Sequence, residues 1–481
     1  MLKVLAWYED AYSLVIRLYS NLVGLAAILG HRRAAALIQG RRHTRQYLLK
    51  PATTQGYVWF HASSAGELEQ ALPLMQAWRE KYPEDPLLLS LYSPSAYGVG
   101  HCPPEADLCL MMSADLPQQV HQWIKVLRPR LAIFIKYDFW YHHFCGLHYH
   151  HIPLYIACAK LQPRSWWLHP SVRPLWSAMS SCVTEFWVQD QITLELLAGN
   201  GVHHAVLCGD TRYDRVLKLA AYPFHDRILD AFCQNESGQM AREGPKSHPI
   251  EFNEQVQHTL ARPVMIGGST WPADHRLLCE GLVQQHLNTS ARLPQGRWKL
   301  ILVPHEITPK QIQSLEILVQ QISSPSPSPI RWQLYSRINS ESTALADNLG
   351  SLDVLIIDQK GLLSKLYRYG QAAWIGGGFG AGIHNVLEAA VYGLPIGFGP
   401  RYQGFTEAEE LLEHGFAATY SADSTILSLF EKKTRPSARN FYKQSSGITP
   451  DIHTQIKAFC QGRSGATNRC LERINKTLPS R

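Results

Sequence analysis

The sequence lacks the patterns that mark several common classes of protein. Its ten cysteines are scattered, with no C-x-x-C pair and no regular framework, which predicts reduced, mostly buried thiols in a cytoplasmic setting. It contains no internal repeat, and the tract SSPSPSP at 323–329 is short enough to be a surface loop. No nucleic-acid-binding motif accompanies the net charge of +7, so this mild excess favours an anionic surface or ligand over nucleic acid.

The size and composition are those of a folded protein with more than one core. A chain of 481 residues exceeds the usual limit of a single hydrophobic core, so two domains are expected. A hydrophobic fraction of 45% with 18% charged residues excludes a mostly disordered or collagen-like chain.

Residues 1–50 form a separate, apolar and basic segment. Residues 18–29 are mostly apolar and are followed by five arginines, Arg32, Arg33, Arg41, Arg42 and Arg45. The stretch between Arg17 and His31 is shorter than the roughly 20 residues that cross a bilayer, and no cleavage site of a signal peptide follows it. We therefore expect a helix that lies on the cytoplasmic face of a membrane. The alternative is an amphipathic helix that covers an apolar patch of the same chain.

After this segment, strand-like and helix-like runs alternate, which is typical of a doubly wound parallel sheet. The first series covers residues 51–222, a polar stretch without periodicity follows, and a second series extends to about residue 425. We expect an α/β protein with two Rossmann-like domains, 51–222 and 223–425, whose strands end at a shared cleft. Residues 426–481 form a tail, in which a helix at about 448–460 is expected to return to the first domain.

The segment GGGFGAGIHNVLEAAVYGLPIGFGP, residues 376–400, is the most informative junction. Glycines that precede a helix let backbone amides and the helix dipole approach an anion, so this loop suits a nucleotide-like ligand. The alternative is purely structural, because Asn385 and Glu388 have the spacing of a capping box that would begin a helix near His384.

Two carboxylates follow predicted strands. Glu67, in SSAGE, could serve as a general base at the start of a helix, but Ser64 and Glu67 also have capping-box spacing. Asp138, in KYDFW, could orient a sugar or a catalytic partner, or could cap a helix.

The ends of other predicted strands carry groups that could bind an anion. Gly268-Ser269-Thr270 provides amides and hydroxyls, and His305 precedes a helix marked by Thr308 and Pro309. The histidines at 142–151 have no carboxylate or cysteine at a recognised metal spacing, so no metal site is predicted.

Together these motifs resemble the 3-deoxy-D-manno-octulosonic acid (Kdo) transferases of lipopolysaccharide assembly. The matching pieces occur in the family's order: the apolar and basic start, 61–67, 138–140, 209–214, 268–270, 304–306 and 384–388.

This resemblance implies a GT-B fold and an inverting transfer of Kdo from CMP-Kdo to a lipid A precursor at the cytoplasmic face of the bacterial inner membrane. It implies that Glu67 is the general base and that Asp138 occupies a second acidic position. It also implies a CMP-sugar site without a metal or other cofactor, formed by Gly268, Ser269, Thr270, Pro304, His305, Gly361, Leu362, Leu363, Asn385, Val386, Leu387 and Glu388.

The chain departs from the family in two places that bear on this site. Pro304-His305-Glu306 stands where Pro-Arg-His is commoner, so Arg212 or Arg401 is expected to contact the phosphate or carboxylate instead. Ile383 replaces a glycine before His384. Two other functions remain open: a GT-B enzyme that uses a UDP-sugar for another envelope glycolipid, and a non-catalytic protein that binds a nucleotide sugar.

Overall fold

The computed structural model describes residues 2–93, 102–233, 262–287, 297–324, 326, 329–338, 349–420 and 451–477. Contacts divide the chain into two compact units, Met1–Arg215 with Arg463–Arg481, and Val216–Gly462. The second unit is therefore inserted into the first, and the division falls just before the predicted boundary at residue 222.

The first unit contains seven strands: β1 (Val58–Ala62), β2 (Leu87–Leu91), β3 (Leu108–Met111), β4 (Leu131–Ile135), β5 (Leu154–Ala159), β6 (Glu185–Val188) and β7 (Ala205–Leu207). They form one sheet of order β3-β2-β1-β4-β5-β6-β7, and every neighbouring pair is parallel. Its helices are α1 (Leu2–Ile28), α2 (Arg32–Tyr47), α3 (Ala65–Lys81), α4 (Pro117–Leu127), α5 (Tyr141–Tyr149), α6 (Arg173–Ser180), α7 (Gln191–Gly199) and α8 (Thr211–Ala221), whose last residues belong to the second unit.

The second unit has the same plan. Its helices are α9 (Arg227–Cys233), α10 (Pro272–Leu287), α11 (Pro309–Ser323), α12 (Leu363–Leu366), α13 (Leu387–Ala390), α14 (Thr406–Glu413) and α15 (Ile452–Gly462). Its strands are β8 (Val264–Thr270), β9 (Lys299–Pro304), β10 (Trp332–Leu334), β11 (Val354–Ile356), β12 (Ala372–Ile375), β13 (Ile396–Phe398) and β14 (Ala417–Thr419). The strands pair in parallel in the order β10-β11-β9-β8-β12-β13-β14. The predicted class, two doubly wound α/β domains, is confirmed.

Both faces of the first sheet are buried in apolar clusters, which explains why its strands are mostly apolar. Successive residues of β1 point to opposite faces of the sheet: Trp59 packs in one apolar cluster with Trp123, whereas Val58 and Phe60 pack in the other with Trp78. Because helices cover both faces of a parallel sheet, both sets of side chains are mostly apolar.

Each sheet has one point at which the strand order reverses. In the first unit, β1 lies between β2 and β4; in the second, β8 lies between β9 and β12. Ligands of open α/β sheets bind beyond the carboxyl ends of the strands at this switch point. A ligand-binding site is therefore expected at the loops that follow β1, β4, β8 and β12.

The N-terminal helix is longer than the sequence reading assumed. α1 has 27 residues, and its segment Trp7–Ile28 is long and apolar enough to cross a membrane by length and composition. The sequence argument that the apolar stretch is too short was wrong, because the helix continues through Arg17 instead of stopping there.

The chain returns to the first unit through a helix other than the predicted one. The predicted helix at 448–460 corresponds to α15, which contacts α13 in the second unit. The next helix, α16 (Ala466–Thr477), packs against α3 and adds Cys470, Leu471 and Ile474 to a core cluster of the first unit.

The prediction that all cysteines are reduced is wrong at one pair. Cys102 and Cys109 form a disulfide at the edge strand β3, while the other eight cysteines are free. Residues 234–261, in the polar stretch between the two series, and residues 426–450 and 478–481 of the predicted tail lie outside the described residues.

Candidate active site

Two carboxyl groups meet at the switch point of the first unit. Glu67 follows β1, at the start of α3, and Asp138 follows β4, the neighbouring strand. The two carboxyl groups are close enough for each to shift the pKa of the other, although 71 residues separate them in the chain. Sequence reasoning placed each at a strand end, and the sheet order brings them together.

Glu67 also caps its helix. Ser64 accepts a hydrogen bond from the backbone N–H of Glu67, and Oε2 of Glu67 accepts from the N–H groups of Ser63 (2.6 Å) and Ser64 (3.1 Å). The capping box is thus present, and it holds one carboxylate oxygen while Oε1 remains for chemistry. Capping and catalysis are therefore compatible at this residue.

The pair shares one proton unequally. Burial, followed by the negative charge of Asp138, raises the pKa of Glu67 to about 8. Burial also acts to raise the pKa of Asp138, but hydrogen bonds from His61 and Ser63 outweigh it and lower that pKa. Glu67 is therefore the carboxyl group that keeps the proton near neutral pH and gives it up as the pH approaches 8.

His61 is a member of this site that sequence reasoning passed over. Its ring is fully buried in β1, with Nδ1 2.7 Å from Oγ of Ser90 and Nε2 3.5 Å from Oδ2 of Asp138. A titratable residue inside an otherwise apolar strand was the signal available in the sequence.

The switch point of the second unit gathers the predicted CMP-sugar residues. Gly268, Ser269 and Thr270 end β8, and Ser269 has a left-handed backbone (φ 50°), which is costly for a residue with a Cβ and typical of functional junctions. Gly376 follows β12, where a Cβ would collide with the carbonyl oxygen of Ser269. Only glycine therefore allows these two loops to touch.

Three aromatic rings stack beside this junction. His305 lies between Trp271 and His384, at ring-centre distances of 4.8 and 4.2 Å. The indole N–H of Trp271 donates to Nε2 of His384 (3.0 Å), so this histidine carries its proton on Nδ1. Burial, and then His305, lowers the pKa of His384 to about 4, and burial also lowers the pKa of His305. Both rings are neutral at physiological pH, and Trp271 had no role in the sequence reading.

The loop Gly361-Leu362-Leu363 lies at the same place. The side chains of Leu363 and Tyr367 both approach Gly268, and Gly361 has a left-handed backbone (φ 81°). The charge of Glu388 acts on Tyr367, which brings the segment Asn385, Val386, Leu387 and Glu388 into the same neighbourhood. Pro304 pairs with Thr270. The predicted CMP-sugar residues thus share one region of the second unit, and their roles stay predictions.

The helix predicted to start near His384 is wrong. α13 begins at Leu387 and has four residues, with Val386 as its N-cap and no side-chain cap. Asn385 instead accepts from the N–H of Leu387, and its amide group lies 3.5 Å from Oε1 of Glu388. The helix is short because Gly393, three residues beyond its last residue, adopts φ 81° and ends the turn. Such a short helix has little dipole, so it would add little to the backbone amides of the glycine-rich loop in holding an anion.

At the start of α11, Thr308 and Gln311 have capping-box spacing, but the box is only half formed. Thr308 accepts from the N–H of Gln311 and α11 begins at Pro309, as predicted. The side chain of Gln311, however, donates to Glu306 (3.2 Å) instead of returning to the cap.

The two arginines proposed to replace the family's arginine lie in different units. Arg212 belongs to the first unit, where its guanidinium donates twice to Asp210 (2.9 and 2.7 Å). Arg401 belongs to the second unit, where its backbone N–H donates to Gly378 and its guanidinium to the carbonyl oxygen of Gly380 (2.7 Å). Arg401 is therefore the arginine that lies on the glycine-rich loop, and it is exposed.

The histidine cluster has structural partners. The ring of His143 contacts the buried carboxylate of Asp115 at 2.6 Å, and His142 lies 2.8 Å from Oγ of Ser13. Among the residues that the structure describes, no group of three or more histidines, cysteines or acidic residues is placed to hold a metal.

Asp274 organises the glycine-rich loop from within. This fully buried carboxylate accepts from the backbone N–H of Trp271 (2.9 Å), the indole of Trp374 (2.9 Å) and the N–H of Gly377 (3.1 Å). Asp274→Ala leaves three buried donors without an acceptor, so we expect a loss of about 3–5 kcal/mol in the free energy of unfolding. Urea denaturation measures this loss.

The matched control is Asp358→Ala, which removes an exposed carboxylate that accepts from Ser336 in the same unit. We expect it to cost under about 1 kcal/mol. Equal losses for the two variants would contradict an organising role for Asp274.

Comparison with known proteins identifies the family. Residues 38–215 match the family described as "3-Deoxy-D-manno-octulosonic-acid transferase (kdotransferase)". The 3-deoxy-D-manno-octulosonic acid transferase of Chlamydophila psittaci is 23% identical over 449 residues, which cover 92% of this chain and 92% of that protein. Residues 38–215 thus match the Kdo transferase family of glycosyltransferases, and a protein of that name aligns with most of the chain. The Kdo transferase of Aquifex aeolicus is 21% identical over 361 residues, with 75% of this chain and 80% of that protein covered.

A solved structure supports the two-domain fold. UDP-GlcNAc 2-epimerase from Neisseria meningitidis, bound to UDP-GlcNAc, superposes with a TM-score of 0.51 at 11% identity, covering 88% of this chain and 100% of that one. This likeness concerns the fold alone. Together with the two doubly wound sheets, it agrees with the predicted GT-B class.

Proposed function

We propose that the protein transfers Kdo from CMP-Kdo to a lipid A precursor with inversion at the anomeric carbon. The match to this family supports the transfer of Kdo. The observation that carries the mechanism is the buried carboxyl pair, because inversion in a single displacement needs one base on the acceptor side. Glu67, whose pKa burial and Asp138 raise to about 8, has the proton affinity that a base working near neutral pH requires.

In the proposed step, a hydroxyl oxygen of the acceptor attacks the anomeric carbon of Kdo. The bond between that carbon and the phosphate oxygen of CMP breaks, and its electron pair leaves with CMP. Glu67 takes the hydroxyl proton through Oε1, since Oε2 is occupied by two backbone donors. Asp138 stays ionised beside it and adds to the basicity of Glu67.

The donor carries a phosphate and a carboxylate, and the second unit supplies groups suited to both. Backbone amides of the glycine-rich loop and the hydroxyl of Ser269 can donate to these anions. The neutral ring of His384 has a free donor at Nδ1, because Nε2 accepts from Trp271. Positive charge comes from Arg401, and no metal is needed in this scheme.

Arg401→Gln is expected to weaken binding of CMP-Kdo about 10- to 100-fold, since a charge-assisted hydrogen bond contributes about 1.5–3 kcal/mol. Titration calorimetry with CMP and the KM for CMP-Kdo both measure this. The matched control is Arg337→Gln in the same unit, which removes an exposed arginine paired with Glu316. An unchanged affinity in Arg401→Gln would assign the charge to another residue.

We further propose that α1 and the arginines of α2 bind the cytoplasmic face of the bacterial inner membrane. One side of α1 contacts the rest of the first unit through polar groups. Tyr8 donates to Ser171, Tyr12 donates to Asp115, and Ser13 lies beside His142. The opposite side exposes Leu14, Leu18, Leu22 and Leu25. A helix tied to a folded unit on one face and apolar on the other is suited to lie in the membrane surface, where an amphipathic lipid acceptor is found.

The test is incubation of the purified full chain with a lipid A precursor and freshly generated CMP-Kdo, followed by mass spectrometry. The expected result is a mass gain of one or more Kdo residues. Parallel reactions with UDP-sugars test the competing enzyme class. Transfer from a UDP-sugar alone, or binding of CMP-Kdo without any transfer, would overturn the proposal.

A further inference from the structure

A chain of hydrogen-bonding groups runs from the core of the first unit to the carboxyl pair. The indole N–H of Trp59 lies 2.7 Å from Oγ of Ser90, and this oxygen lies 2.7 Å from Nδ1 of His61. On the other side of the ring, Nε2 lies 3.2 Å from Oγ of Ser63 and 3.5 Å from Asp138. Trp59, His61 and Ser90 are fully buried, so water does not compete for these contacts.

The carboxylate of Asp138 sets the direction of these contacts. A lone pair on Nε2 of His61 would be repelled by this carboxylate at 3.5 Å, so the ring proton lies on Nε2. Nδ1 is then the acceptor for the hydroxyl hydrogen of Ser90, whose oxygen accepts from the indole N–H of Trp59.

Asp138 therefore has a neighbour that Glu67 does not. Nε2 of His61 lies 3.5 Å from Oδ2 of Asp138, whereas Oε2 of Glu67 accepts from two backbone N–H groups. Burial keeps the ring of His61 neutral by lowering its pKa. The other charged or titratable groups that face this cluster are His143 on α5, and Lys136 and Tyr137 after β4.

We propose that His61 is a positioning residue that keeps the shared proton of the carboxyl pair on Glu67 by holding Asp138 as the anion. The inference rests on the proposed function, because it explains why Glu67 and not Asp138 is the group that titrates as a base. It follows that His61 sets the pH range of transfer without touching the substrate. Without His61, the proton divides more evenly between the two carboxyl groups, and Glu67 ionises at lower pH.

The first test needs no catalysis. The free energy of unfolding is measured from pH 5 to 9.5 for the wild type and Glu67→Gln, and their difference isolates the titration of Glu67. Because the folded-state pKa of Glu67 is raised from 4.5 to about 8, its stabilising contribution is complete below about pH 4.5 and lost as the pH rises through about 8. The same difference is then measured in a His61→Phe background.

We expect His61→Phe to move the upper end of this pH window up, by about one unit if the proton then favours Asp138 about tenfold, because losing the last proton of the pair now creates an Asp138 anion without its contact to His61. Ser90→Ala, which removes the group that orients the ring, is the second variant, and we expect a smaller shift in the same direction. The control is His204→Phe, because His204 contacts the carbonyl oxygen of Ser180 and no member of the pair. An unchanged window in a folded His61→Phe or Ser90→Ala protein would overturn the proposal.

The second test is the pH profile of single-turnover transfer. We expect the acid limb of the wild-type profile, with its inflection near pH 8, to move to lower pH in His61→Phe, because the proton then lies on Asp138 and Glu67 is ionised earlier. A rate lowered equally at every pH would mean that His61 only packs the core, and would also overturn the proposal. A wild type that transfers no Kdo contradicts the proposed function instead, and leaves the stability result to be judged by itself.

Discussion

Glu67→Gln is expected to lower the rate of Kdo transfer about 10³-fold, the upper part of the range attributed to a single general base. The amide keeps the size of the side chain and an oxygen that can accept from Ser63 and Ser64, so the cap of α3 survives. It cannot take a proton from the acceptor. The measurement is single-turnover transfer at saturating donor, alongside calorimetric binding of CMP, which we expect to be unchanged because the predicted CMP residues belong to the second unit.

The same substitution is expected to stabilise the protein at high pH. Because the pKa of Glu67 is raised from 4.5 to about 8 in the folded state, its contribution to stability is lost as the pH rises from about 4.5 to about 8 and stays lost above that. Glu67→Gln should therefore nearly match the wild type near pH 5 and exceed it by about 3–5 kcal/mol at pH 9. An enzyme that gains stability as it loses transfer has a functional, not a structural, reason for its carboxylate.

Glu80→Gln is the matched control, since Glu80 is an exposed residue of the same helix α3. It should leave both transfer and the pH dependence of stability unchanged. Near-normal transfer by Glu67→Gln would assign the base to another group, and Asp138 would be the first to examine.

The second large effect is expected at the membrane. Replacing Leu18, Leu22 and Leu25 with Asp puts three charges on the exposed face of α1, where the leucines are 53–64% exposed. Burying a leucine side chain in an apolar phase is worth about 1.5–3 kcal/mol, and burying a charge is unfavourable. Vesicle binding should therefore fall more than about 100-fold, as measured by flotation with vesicles containing anionic lipid.

The control for α1 replaces Ile192 and Ile317, exposed apolar residues elsewhere on the surface, with Asp. Vesicle binding should persist in this variant. Transfer to a detergent-solubilised acceptor should be retained in both variants, because neither set belongs to the carboxyl pair or to the glycine-rich loop. Full vesicle binding by the α1 variant would place the membrane contact on another surface.

The sheets could be predicted from the sequence because their signal is local. Runs such as 131–135 and 154–157 are apolar at every position, which is the signature of strands covered on both faces. The strands that were missed, β3, β10 and β14, are short and lie at or near sheet edges. There, β10 and β14 include the polar residues Gln333 and Thr419, and β3 has only four residues, two of them partly exposed, so the pattern weakens.

The site was predictable residue by residue but not as an arrangement. Glu67 and Asp138 were found because each follows an apolar strand, yet their contact depends on the order of β1 and β4 in the sheet, which no local pattern records. The ring stack of Trp271, His305 and His384 likewise joins three strand ends. The start of α13 was misplaced because capping-box spacing at Asn385 and Glu388 cannot show that Asn385 accepts from the N–H of Leu387 instead of that of Glu388. The spacing also cannot show that Gly393 limits the helix to one turn.

The return of α16 to the first unit makes the order of synthesis matter. Its Arg473 pairs with Glu185, its start is held by Asp214 through the N–H groups of Gly465 and Thr467, and its apolar face completes the layer over α3. These residues are translated only after the whole of the inserted unit. A nascent chain on the ribosome must therefore carry a half-covered sheet until elongation is nearly finished, and in that interval the exposed flank of α3 is an aggregation hazard that a chaperone could shield.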